Sequence, residues 1–79
     1  MLQPDSNSHR ILRAFFNANG GLLRSRDITK VDSWAFGTSH SEGPMHTFIN
    51  NGFVVKVERG LWQLEVAGLK ELERLNALS

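Results

Sequence analysis

The chain has 79 residues, 41% of them hydrophobic and 22% charged, which describes one small soluble domain with material for one modest core and none for a second. It contains no Cys, so disulfides, thiolate zinc sites and cysteine nucleophiles are excluded, and stability must come from packing or from a partner. Nine Lys and Arg against eight Asp and Glu leave a formal charge of +1, too small for bulk charge to name a partner. No apolar run approaches the roughly 20 residues that span a bilayer. The N-terminal stretch MLQPDSNSHR lacks the charged and apolar regions of a signal peptide, so the reading is a cytoplasmic protein with no membrane partner.

Residues 1–7, with Pro4, Asp5, Ser6 and Asn7 and no apolar rhythm, predict a flexible N-terminal lead ahead of a single domain over 8–79. The first helix begins after Ser6 or Ser8, buries Ile11, Leu12, Phe15 and Phe16, and is stopped by Gly20 and Gly21. Leu22 and Leu23 precede a second short helix over about 26–31, capped by Ser25, with Ile28 and Val31 inward. The Ser-, Thr- and Gly-rich stretch 32–43 has Trp34 and Phe36 as its anchors. A third helix starts between Ser41 and Pro44, since proline in a first turn gives up an N–H that has no helical partner. Met45, Phe48 and Ile49 face inward, His46, Thr47 and Asn50 face outward, and Asn51-Gly52 ends the helix.

A hairpin follows. Phe53, Val55 and Val57 alternate with Val54, Lys56 and Glu58, and after Arg59-Gly60 the chain resumes as Leu61-Trp62-Gln63-Leu64. Setting Glu58 opposite Leu61 places Val57 opposite Trp62, Val55 opposite Leu64 and Phe53 opposite Val66, which builds one apolar face and buries Trp62. The last helix covers 66–78. Its leucines Leu69, Leu72, Leu75 and Leu78 step by three, a spacing that drifts around the helix, so Leu72, Leu75 and Leu78 are candidates for a partner interface. The predicted class is mainly α with a two-stranded antiparallel β-ribbon.

Three helices, a ribbon and a closing helix resemble the winged-helix branch of helix-turn-helix DNA-binding domains over 8–78. Gly21-Leu22-Leu23-Arg24-Ser25-Arg26-Asp27-Ile28 is similar to the entry into that family's second helix. Phe48-Ile49-Asn50-Asn51-Gly52-Phe53-Val54, then Arg59-Gly60-Leu61-Trp62-Gln63-Leu64 and Ala67-Gly68, resemble the recognition-helix end and wing of bacterial regulators of the multiple-antibiotic-resistance type. Two departures stand out. Glu65 occupies a place where such proteins often carry a capping Thr, and the link between second and third helices is long.

The resemblance implies that the third helix enters the major groove and the wing touches the backbone or minor groove. His46, Thr47 and Asn50 are then the base-edge candidates: Asn can pair bidentately with adenine and Thr can meet a thymine methyl. That helix has no Arg or Lys, so phosphate or minor-groove contact falls to Arg24, Arg26 and Lys30 around the second helix and to Lys56 and Arg59 on the wing. The expected function is a small duplex-DNA-binding protein, a transcriptional regulator or a mobile-element accessory factor. The competing reading is a protein-interaction winged helix that forms a homodimer or meets a larger protein. No enzyme, cofactor or metal is expected: there is no nucleophile elbow or phosphate-cradling loop, and His9, His40 and His46 have no assured common face.

Overall fold

The computed structural model describes residues 2–37 and 43–79. His40, and Ser41 as a start for the third helix, lie outside the described residues. In chain order the elements are α1 (Asn7–Asn17), β1 (Leu22–Arg24), α2 (Ser25–Val31), α3 (Pro44–Asn50), β2 (Val54–Glu58), β3 (Leu61–Leu64) and α4 (Val66–Leu78). Among the described residues this makes a mainly helical domain of four α-helices with one small antiparallel sheet of strand order β1-β3-β2, a winged-like architecture. None of the helices is long and apolar enough to cross a membrane.

Ser6 caps α1, its Oγ accepting from the His9 backbone N–H. Ile11, Leu12 and Phe15 are fully buried, whereas Phe16, expected inward, is 58% exposed. Phe16 shares its side of the helix with buried His9, but stands two turns further along, near the C-terminal end of α1. The helix also ends before the glycines: Ala18 is already extended, and Gly20 and Gly21 belong to the 3-10 turn that follows.

Further hydrogen bonds involve residues 2–6. Arg74 Nη2 donates to the Leu2 carbonyl at 3.1 Å, Ser6 Oγ donates to the Gln3 carbonyl at 2.6 Å, and the Asp5 N–H donates to His9 Nδ1 at 2.9 Å. His9 is itself fully buried. With Nδ1 accepting, the ring proton sits on Nε2 and donates to Asn76 Oδ1 at 2.7 Å, which joins α1 to α4. This histidine is a clamp between lead, first helix and last helix.

Leu22 and Leu23, read as a prelude to α2, form a third strand, with Leu23 opposite Trp62 and Arg24 opposite Leu61. Ser25 lies inside α2 and caps nothing: its Oγ accepts from Trp62 Nε1 at 3.1 Å. After α2 the anchor is Ala35, fully buried, whose carbonyl accepts the Met45 N–H at 2.9 Å and so fixes the start of α3. Trp34 is 51% exposed, while Phe36 packs against Trp62 with ring centroids 6.1 Å apart.

The wing is paired one residue away from its expected register. Glu58 does face Leu61, but Lys56 faces Trp62, Val55 faces Gln63 and Val54 faces Leu64. The shift falls between Lys56 and Glu58, where Val57 is the extra residue of a β-bulge. One inserted residue reverses every side chain beyond it, so Val54 is buried and Val55 and Val57 are 41% and 51% exposed.

In α4, Leu72 and Leu75 belong to the core at 2% and 0% exposure, which removes them as partner contacts; packing on α1 has already claimed that face. Leu78 alone of the three interface candidates is exposed, at 59%. Beside them the Arg74 guanidinium hydrogen-bonds both oxygens of Glu71, at 2.8 and 2.6 Å, and this pairing holds the carboxyl below the usual carboxylate range against the opposing effect of burial. A carboxyl whose folded value is depressed contributes stability that is present above its unfolded value, about 4.3, and lost as pH falls through the folded one. Arg74→Met should therefore lower the urea midpoint at pH 7, and the part of that loss owed to Glu71 should shrink as pH falls from the unfolded value through the folded one. A destabilisation equal at neutral and acid pH would assign the effect to packing and to the hydrogen bond with the Leu2 carbonyl instead.

Candidate functional site

Helix α3 is short, and its position is over-determined at both ends. Pro44 fills the first helical position, and the C-terminus closes with the Asn51 N–H on the Thr47 carbonyl at 3.0 Å, the Gly52 N–H on Ile49 at 3.2 Å and the Phe53 N–H on Phe48 at 2.9 Å. Gly52 has φ 71°, the left-handed conformation that lets the chain leave the helix and enter the wing at once. Met45 and Phe48 are fully buried, which leaves Asn50 exposed and His46 and Thr47 half-buried.

These three candidates do not act as one group. Asn50 Nδ2 lies 2.9 Å from His46 Nε2, one helical turn apart, so these two side chains are coupled. Thr47 looks to the other flank, into a recess of about 180 Å³ shared with Leu2, Asn51, Phe53 and Glu71. Ile49, expected in the core, is 44% exposed and borders a second, open recess of about 420 Å³ whose other walls include Val54, Val55, Lys56 and Trp62. Lys56 and the C-terminal end of α3 thus face one hollow.

The remaining cations gather around the wing turn. The Ser25 N–H donates to the Gly60 carbonyl at 2.9 Å, tying the Arg59-Gly60 turn to the first residue of α2. Arg24 precedes that tie, opposite Leu61, and Arg26 follows it; Arg24, Arg26 and Arg59 are all exposed. Lys30 lies one turn along α2 from Arg26, on the side away from buried Ile28, but stands 3.8 Å from Asp27 Oδ1. That pair is highly exposed and weak, so it leaves the ammonium available to an external anion.

Two features of this surface escaped the sequence reading. The i, i+4 spacing from Met45 predicts an inward Ile49, but the fold leaves it 44% exposed at the rim of the second recess. The His46–Asn50 couple had a visible signal, the four-residue spacing of two complementary polar groups on one helix. Among the described residues no cluster of three or more His, Asp or Glu side chains could hold a metal ion. No family model, curated protein or solved structure matches the chain.

Proposed function

We propose that the protein is a small duplex-DNA-binding module of winged helix-turn-helix type, similar in its wing to bacterial regulators of the multiple-antibiotic-resistance type. Helix α3 enters the major groove, and the wing follows the backbone or minor groove beside it. The observation that carries this reading is that the open end of α3 and Lys56 of the wing border one hollow, while the wing turn is tied to the cation-bearing start of α2. Polar readers and phosphate anchors then lie on connected elements.

In this arrangement His46 and Asn50 meet base edges, with exposed Ile49 beside them able to take a thymine methyl. Arg24, Arg26, Lys30, Lys56 and Arg59 neutralise phosphates, and Thr47 contributes from the flank. Regulation of transcription, or service to a mobile element, is the role such a module fills.

The test is binding of the purified protein to a random-sequence duplex pool at two salt concentrations. Affinity should fall as salt rises, because each neutralised phosphate releases counterions. Arg59→Ala should weaken binding to all sequences alike and reduce the slope of log affinity against log salt by about 1. Binding that ignores salt, or an Arg59→Ala variant with an unchanged slope, would overturn the reading.

A second reading rests on the same hollow. Ile49, Val55 and Val57 are apolar and exposed, and α3 carries no Arg or Lys, which suits a protein partner better than a phosphate backbone. Absence of duplex binding at any salt would favour it.

A further inference from the structure

The contact between Asn50 Nδ2 and His46 Nε2 has a defined polarity. An amide nitrogen only donates, so Nε2 accepts and the neutral imidazole carries its proton on Nδ1. One N–H of Asn50 is spent on this bond, and the other N–H and Oδ1 remain for an outside partner, the donor-and-acceptor pair that matches adenine N7 and N6. We propose that His46 is the positioning residue that sets Asn50 to read adenine, and that protonation of His46 cancels this preference. The inference rests on the duplex-binding reading above.

The switch follows from the atoms involved. A protonated imidazole has N–H on both nitrogens and can accept nothing, so the Asn50 NH2 group is expelled from Nε2. The terminal amide torsion is nearly two-fold, so the group turns over and Oδ1 takes the Nε2 proton. Donor and acceptor then exchange places along the edge presented to DNA: a donor meets the adenine amino group and an acceptor meets N7. The same protonation adds a positive charge to the helix, which favours any duplex through its phosphates.

Helix α3 carries no other charged side chain, and β2, which packs on it, offers Lys56 and Glu58. Glu65 borders the hollow on the Ile49 side, and Glu71, across the Thr47 recess, is engaged by Arg74. Among the described residues no carboxylate lies within ion-pairing distance of the His46 ring.

The experiment is selection from a random duplex pool at pH 8 and pH 5.5, on either side of the range in which histidine ordinarily changes charge. It is run with the native chain, His46→Gln and His46→Phe. The native chain should prefer adenine at one position by about fivefold or more at pH 8 and lose the preference at pH 5.5. His46→Gln, whose Oε1 accepts from Asn50 and does not titrate, should keep the preference at both pH values; His46→Phe should show little at either. In the free protein, NMR should show the Asn50 side-chain amide resonances moving with the His46 titration. Salt-dependent binding with a base preference identical at pH 8 and pH 5.5 would overturn this proposal and leave the duplex-binding reading standing. Loss of salt-dependent binding to every duplex would overturn both.

Discussion

Gly68→Ala should destabilise the fold by about 3 kcal/mol, the upper part of the range for overpacking, read as a fall in the urea midpoint at constant slope. Gly68 is buried in the first turns of α4, directly against the Phe53 carbonyl. A Cβ there would collide with the Phe53 oxygen, stand 3.0 Å from its carbonyl carbon and meet Leu64 Cδ1 at 2.7 Å. The leucine methyl can turn aside, but the carbonyl cannot, because Phe53 is held by its own N–H on Phe48 and by its oxygen accepting from the Glu65 N–H at 2.9 Å. Elsewhere in a helix alanine is better than glycine by up to about 1 kcal/mol, so a measured stabilisation would mean that α4 does not ride on the wing entry this closely. Domains of this size have a total stability of roughly 4–12 kcal/mol, so a loss of this magnitude removes about a quarter or more of it.

Elements with strong periodicity, or with residues that punctuate them chemically, were legible in the sequence. The stripe Ile11, Leu12, Phe15 with a serine cap marks α1; Pro44 and Asn51-Gly52 bracket α3; Arg59-Gly60 marks the wing turn. Three features were not legible, each for a physical reason. Strand β1 has three residues, too few for alternation to appear, and exists only because β3 offers it a free edge. The wing register depends on a bulge at Val57, and bulges leave no hydrophobic signature because the extra residue can be of any type. The side chains of α4 were seen as a strip without a direction, and only docking on α1 decides that Leu72 and Leu75 turn inward and Leu78 outward.

The candidate surface divides along the same line. The outward turn of Asn50 followed from the helical period, whereas Ile49, expected inward on the same pattern, is 44% exposed. Which of them share a patch did not follow, because this depends on neighbours brought from afar: Glu71 and Leu2 beside Thr47, Lys56 and Trp62 beside Ile49. The sequence also could not tell that Gly60 is tied to Ser25, the bond that brings the cation at the wing turn next to those at the start of α2.

The second large effect is expected at Phe48, and its neighbour supplies the control. Phe48 is fully buried, its ring centroid lies 6.1 Å from that of Phe53, and its carbonyl receives the chain as it enters the wing. Phe48→Ala should cost about 3–5 kcal/mol, the range for truncating a buried aromatic side chain, a large share of the roughly 4–12 kcal/mol available to a domain this small. Ile49→Ala, one position along, removes a side chain that is 44% exposed and should cost below about 1 kcal/mol. The pair measures the rotation of α3 about its own axis. If Ile49→Ala proved the more damaging, the helix would be turned by about 100°, one residue's step, carrying Asn50 toward the body and breaking up the outward face that it shares with His46. The order of these two stability losses, obtained from urea denaturation without any DNA, therefore tests the foundation on which the base-reading geometry is built.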